Sequence, residues 1–118
     1  MAIVLAIEDD PLTRDSIINI LSLKGISAIA AADGRAGLQL AKENIPQLIL
    51  CDVRMPELNG FDVLKALRQD STTATIPLIF LTAETNEVIE RGQKLGVNGY
   101  LNKPFTTAEL LSAIAPYI

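Results

Sequence analysis

Five side chains that could carry phosphoryl chemistry each stand at or just past the end of an apolar run. Glu8 and Asp9 follow the run from Ala2 to Ile7, and Asp52 follows Leu48-Ile49-Leu50-Cys51. Thr82 closes the run from Pro77 to Leu81, and Lys103 comes just after the run from Val97 to Leu101. Short apolar runs closed by turn residues read as buried strands of a parallel sheet. Residues at their ends then share the carboxyl edge of that sheet, where open α/β folds bind ligands.

Bringing these groups together constrains the chemistry. Like charges about 4 Å apart repel by roughly 4 kcal/mol at an effective dielectric of about 20. Glu8, Asp9 and Asp52 therefore need counter-charge. Lys103 supplies one positive charge, and a divalent cation would supply the rest. A few carboxylate oxygens with room for water suit Mg²⁺ (or Mn²⁺), which readily shares its shell with phosphate. In such a pocket Asp52 can attack phosphorus and form an acyl phosphate. Thr82 offers a hydroxyl to a phosphoryl oxygen. The neighbours have plainer readings: Asp10 caps the first helix or points to solvent, Cys51 is a small core residue facing away from Asp52, and Met55-Pro56 belongs to a turn.

Five strand-helix units position these residues. The first strand breaks at Glu8-Asp9-Asp10-Pro11, and Pro11 opens a helix that Gly25 stops. In that helix Leu12, Ser16, Ile17, Ile20, Leu21 and Leu23 or Lys24 keep helical spacing. A second strand spans Ile26 to Ala31, and Asp33 caps a helix reaching about Asn44 whose first turn Gly34 and Gly37 weaken. The third helix runs from about Gly60 to Asp70, with Phe61, Val63, Leu64 and Leu67 in register. The fourth spans Glu84 to Leu95 and ends at Gly96. Thr106 or Thr107 caps the last, which carries Leu110, Leu111 and Ile114. Strands one, three and four are unbroken and belong at the sheet centre, whereas strands two and five carry Ser27, Ala28, Asn98 and Gly99 and belong at its edges. The expectation is an α/β fold: a five-stranded parallel sheet in the order 2-1-3-4-5 with helices on both faces, a flavodoxin-like (βα)5 unit.

Composition excludes several classes. A chain of 118 residues with 49% hydrophobic and 20% charged residues is one globular domain, residues 1–118. A net charge of −4 argues against direct nucleic-acid binding. No run has the length of a membrane span, the start lacks a signal peptide's basic residues, and a single cysteine fits a reducing cytoplasm. With no histidine, no His-based metal site or triad is available.

These motifs resemble the receiver domains of two-component response regulators, from Ile3 to about Ala115. Glu8 and Asp9 match the acidic pair after strand one. Asp52 within DVRMPELNG matches the phosphoacceptor and its loop, and Thr82-Ala83 the hydroxyl residue and its small neighbour. Lys103-Pro104-Phe105 matches the lysine usually followed by a cis peptide bond. Tyr100, three residues earlier, matches the aromatic that changes rotamer on activation. The resemblance implies metal ligation by Asp9, Asp52 and the backbone carbonyl of Arg54, with Glu8 acting mainly through water; many relatives carry Asp in its place. It implies a signalling phosphoacceptor that catalyses phosphoryl transfer to itself and its own dephosphorylation. The donor would be a sensor histidine kinase or a His-phosphotransfer protein. Thr82 and Tyr100 would switch the surface of helix four, strand five and helix five.

Rival readings fit less well. A flavodoxin-like mononucleotide binder cradles phosphate with Ser, Thr and Gly where this chain has Glu8-Asp9-Asp10. A haloacid-dehalogenase-type phosphatase needs a second acid where Arg54 stands. A degenerate receiver used only for docking would not need every phosphorylation residue. Arg54 and Glu84, oppositely charged beside the pocket mouth, are expected to pair across it and tune phosphoryl lifetime. No Lys or Arg occurs from Phe105 to Ile118, so a charged dimer through helix five is not expected. Any dimer there would rest on Leu111, Ile114 and Tyr117. Output would come from an effector protein or from a C-terminal domain beyond these residues. The apolar end, Ala113 to Ile118, favours a domain cut from a longer protein.

Overall fold

The computed structural model describes residues 3–83 and 86–118. Its elements are β1 (Ile3–Ile7), α1 (Pro11–Leu23), β2 (Ser27–Ala31), α2 (Gly34–Asn44), β3 (Leu48–Asp52), α3 (Gly60–Gln69), β4 (Leu78–Thr82), α4 (Asn86–Leu95), β5 (Gly99–Asn102) and α5 (Thr107–Ile114). A 3₁₀ turn, Ala115–Tyr117, follows. The strands pair in parallel in the order β2-β1-β3-β4-β5, as the strand texture predicts. Every residue of β3 and β4 is buried, whereas β2 and β5 are partly open. Successive strand residues alternate between two cores. Leu5, Ile7, Ile49, Cys51, Leu78 and Phe80 pack with α2, α3 and α4. Val4, Ala6, Leu48, Leu50, Ile79 and Leu81 pack with α1 and α5. Among the described residues no helix is long and apolar enough to cross a membrane.

Local chemistry sets the ends of the helices. Asp10 caps α1, accepting from the Thr13 N–H at 3.0 Å, and Gly25 ends the helix with φ +72°. Asp33 caps α2 at 2.8 Å. Asn59 and Asp62 exchange hydrogen bonds in a capping box at the start of α3, as Thr106 and Glu109 do for α5. The boundaries differ from expectation by a residue or two. The most informative case is β5, which starts at Gly99. Just before it, the side-chain oxygen of Asn98 accepts from the Leu78 N–H at 2.9 Å, where a strand residue would offer its backbone carbonyl. Arg68 of α3 secures the same end of the sheet, donating to the carbonyls of Ile76 (2.8 Å) and Gly96 (3.2 Å) and to Asn98 Oδ1 (3.1 Å).

Of the residues that keep helical spacing in α1, Leu12 and Leu23 lie outside the core, 80% and 86% exposed. At 100° per residue Leu12 sits roughly 140° round the helix from Ile17, and the buried stripe is carried by Ile17 and Leu21, about 40° apart. Ile114 is buried against the α1–α5 core at 1% exposure. It is therefore unavailable to a dimer contact, which leaves Leu111 and Tyr117, both partly exposed, of the three residues expected there.

Gly60 is the position on which the placing of α3 turns. Its N–H donates to the Val53 carbonyl at 2.8 Å, folding the Val53–Asn59 loop back onto the end of β3. A Cβ there would lie 2.6 Å from the Asp52 carbonyl oxygen and 2.9 Å from Val53 Cα, both backbone atoms of the central strand and its exit. Helix propensity alone would make Gly60→Ala favourable. The close approach reverses the sign, and we expect Gly60→Ala to cost about 2–3 kcal/mol in urea unfolding; a neutral or stabilising result would mean the loop is not held by this contact.

Candidate functional site

Four neighbouring strands deliver one carboxyl-edge pocket. β1 leads into Glu8 and Asp9, β3 ends in Asp52, β4 ends in Thr82, and β5 leads into Lys103. The backbone stitches these exits together, with Glu8 N–H donating to the Ala31 carbonyl at 3.0 Å and Lys103 N–H to the Thr82 carbonyl at 2.9 Å. Glu8 is completely buried, Asp52 and Thr82 are nearly so, and Asp9 is exposed at the rim. Carboxylate oxygens of Glu8, Asp9 and Asp52 all lie within 4.8 Å of one another.

Lys103 holds the acids together. Its ammonium is ion-paired with Glu8 Oε1 and lies 3.1 Å from Asp52 Oδ1. Lys103-Pro104 is a cis peptide, as the resemblance implies. Glu8 is further fixed by its Oε2, which accepts from the Asp10 N–H at 3.2 Å. Its main-chain carbonyl accepts from Arg14 Nη1 at 3.0 Å. Arg14 was not singled out by sequence reasoning, and only its place one turn into α1 hints at it.

The electrostatics follow from burial. Burial, then the hydrogen bond and charge of Glu8 and the nearness of Asp9, raise the Asp52 carboxyl to about 7, with Lys103 pulling the other way. Burial opposes the charge on Lys103, but Glu8 and Asp52 outweigh it and the ammonium titrates above its usual value. Three carboxylates against one ammonium leave two surplus negative charges when all are ionised (−3 + 1 = −2). The donor set is all oxygen, gathered within 4.8 Å and open at Asp9, which is the chemistry a hard divalent cation fits. Cys51 has no part in this: burial pushes its thiol up, and its Sγ donates to the Asp52 carbonyl at 3.3 Å.

The remaining expected residues lie around this centre. Arg54 is exposed and lines a cleft of about 430 Å³ between the β3–α3 loop and α4, together with Met55, Phe61, Val88 and Arg91. The guanidinium carbon of Arg91 lies 4.3 Å over the Phe61 ring. Glu84, the expected partner of Arg54, lies outside the described residues. Tyr100 sits on β5 with its ring 6.1 Å from Phe80, and its hydroxyl donates to the Ile89 carbonyl of α4 at 2.5 Å.

A parallel sheet with an acidic carboxyl edge and one lysine closing it defines a class of phosphoaccepting signalling domain, and comparison with known proteins agrees. Residues 4–115 match the family model for the response regulator receiver domain. The transcriptional regulatory protein CpxR of Escherichia coli (strain K12) is 41% identical over 113 residues, which is 94% of this chain and 47% of CpxR. Chemotaxis protein CheY4 of Vibrio cholerae superposes with a TM-score of 0.95 at 35% identity, covering 100% of this chain and 99% of that one. The receiver domain of sensor histidine kinase PA1611 from Pseudomonas aeruginosa PAO1, solved with a magnesium ion in its active-site cleft, gives 0.90 at 30% identity over 98% and 96%. The chain belongs to the response regulator receiver domain family, the phosphoaccepting modules of two-component signalling. It spans about half the length of the curated regulators CpxR and RpaA that it matches.

A raised Asp52 has a consequence for stability. An acid whose folded pKa lies above its unfolded value stabilises fully below the unfolded value, 3.8 here, and loses that contribution as pH rises through about 7. In EDTA the protein should therefore weaken between about pH 4 and 7 through this group. Asp52→Asn should remove that loss and stabilise the metal-free protein near pH 8 by about 2–4 kcal/mol. Urea melts at the two ends of that range decide the matter. Parallel pH profiles for wild type and Asp52→Asn would show that Asp52 is not held in a repulsive pocket.

Proposed function

We propose that Asp52 is the phosphoacceptor, and that the chain, residues 1–118, works as a single receiver unit in the cytoplasm. The observation that supports this best is the placing of the Asp52 carboxylate, 3.1 Å from the Lys103 ammonium and within 4.8 Å of the Glu8 and Asp9 oxygens. An Asp52 oxygen attacks phosphorus, the new P–O bond forms as the donor's bond to phosphorus breaks, and the leaving group departs with the electron pair. The donor is a phosphohistidine of a sensor kinase or phosphotransfer protein, or a small acyl phosphate. Asp9, Asp52 and the Arg54 backbone carbonyl would hold Mg²⁺ (or Mn²⁺), whose charge neutralises the carboxylates and the incoming phosphoryl oxygens. Glu8, buried and paired with Lys103, positions that ammonium and would act on the metal mainly through water. Lys103 and the Thr82 hydroxyl take phosphoryl oxygens as charge develops on them. The domain then removes its own phosphoryl group by hydrolysis. On phosphorylation Thr82 moves toward the phosphoryl oxygen, and with Tyr100 it switches the surface of α4, β5 and α5 that an effector protein or an attached output domain reads.

Incubation with acetyl phosphate and Mg²⁺, followed by intact-mass measurement, tests the reading. We expect the gain of one phosphoryl group, its absence in Asp52→Asn and its loss in EDTA; a wild-type protein that gains no mass would defeat it.

The lifetime of the phosphoryl group depends on access of water. Arg54 lies at the mouth of the cleft beside Asp52, and its long stem can cover the in-line approach. A pair of Arg54 with Glu84 across that mouth would contribute about 0–1 kcal/mol if exposed to solvent, which limits its effect to roughly fivefold in rate. Arg54→Ala and Glu84→Ala should each speed phosphate loss by no more than that, and the double variant should be no faster than the quicker single one. Decay after donor removal measures it. Unchanged decay in both single variants would rule out a guarding pair.

A further inference from the structure

Gly92 lies in the interior of α4, a position where glycine is among the least favourable residues. No positive φ requires it there. What requires it is the space in front of it. A Cβ at residue 92 would lie 2.7 Å from the Tyr100 hydroxyl oxygen, 2.9 Å from Phe80 Cε2 and 3.1 Å from Val97 Cγ1. The tyrosine hydroxyl, fitted into that space, donates to the carbonyl of Ile89, one turn earlier on the same helix. The missing side chain and the hydrogen-bond acceptor together make a notch in α4 whose occupant is Tyr100.

The three crowded neighbours are not equally free to yield. Phe80 is wholly buried in β4, held edge-on by Phe61 at 5.4 Å, and cannot move without opening the core. Val97 packs against the same core from the α4–β5 turn. The Tyr100 hydroxyl is the far end of a long side chain on the edge strand, and its ring is only half-buried. Any group added at residue 92 therefore displaces Tyr100 first.

We propose that Gly92 is a positioning residue: its notch seats Tyr100 against α4, so that tyrosine and helix shift as one body when Asp52 is phosphorylated. This rests on the reading of Tyr100 as a responder to Asp52. A glycine present only to let α4 lie close on Phe80 would give different results, because Tyr100 would then be indifferent to what happens at residue 92.

The two tyrosines, Tyr100 and Tyr117, make the test direct. The full chain is labelled with 3-fluorotyrosine, and ¹⁹F resonances are assigned with Tyr117→Phe. In wild type the Tyr100 signal should shift on adding beryllofluoride and Mg²⁺. In Gly92→Ala, which leaves the Asp52 pocket intact and still takes phosphoryl from acetyl phosphate, the Tyr100 signal should sit at a solvent-exposed position before and after activation. The response of α4 amides to beryllofluoride should shrink with it. Adding Tyr100→Phe to Gly92→Ala removes the 2.7 Å conflict and should restore part of the α4 response. Tyr100→Phe alone, which keeps the notch but loses the donor to Ile89, should speed amide exchange in α4; this variant serves if Gly92→Ala fails to fold. A Tyr100 resonance that Gly92→Ala leaves in place would overturn the inference. So would a wild-type Tyr100 signal indifferent to beryllofluoride in a protein phosphorylated at Asp52. Failure of wild type to gain phosphate would strike the functional reading instead, while the displacement of Tyr100 by Gly92→Ala, read without activation, still decides the notch.

Discussion

The ammonium of Lys103 is ion-paired with two of the three pocket carboxylates, Glu8 and Asp52, and the carboxyl edge of the sheet is built around the need to place it. It must reach across from the far side of the sheet, past β4, to Glu8 beyond β1 and to Asp52 at the end of β3. The bond from Lys103 N–H to the Thr82 carbonyl ties the start of that reach to the end of β4. Even so the neutralisation is incomplete, and Asp52 keeps a raised pKa. The pocket is therefore poised: it favours whatever brings positive charge, and it resists standing empty of counter-ions at neutral pH.

Much of this was legible in the sequence because buried parallel strands must be apolar on both faces. β1, β3 and β4 stand out as unbroken runs, so the residues that close them are marked as a set. The centre of the sheet and the membership of Glu8, Asp9, Asp52, Thr82 and Lys103 in one pocket follow from that marking. Single helical leucines were harder. Leu12 and Leu23 obey a helical repeat with each other, and nothing in the order of residues says whether their stripe or that of Ile17 and Leu21 meets the sheet.

What the sequence could not display were contacts made by polar or absent side chains across long separations. Asn98 stands in for backbone at the start of β5, Arg14 holds the Glu8 carbonyl, and Gly60 and Gly92 matter for atoms that are not there. A glycine at the end of a turn motif reads as a turn former. Its second role, letting α3 close on the end of β3, is visible only when the Asp52 carbonyl is seen 2.6 Å from where a Cβ would be.

Arg68 gives α4 an axle. By bonding to the Gly96 carbonyl just past the helix, and to Ile76 and Asn98 on either side, it pins the end of α4 remote from Asp52. The opposite end follows the exit of β4 beside Thr82. A ten-residue helix is about 15 Å long. A displacement of about 1 Å at the Thr82 end thus becomes a tilt of roughly 4° about the guanidinium, with almost no travel at Gly96. The surface of α4 nearest the Thr82 end would then travel farthest, so such a movement presents itself along the helix as an angle.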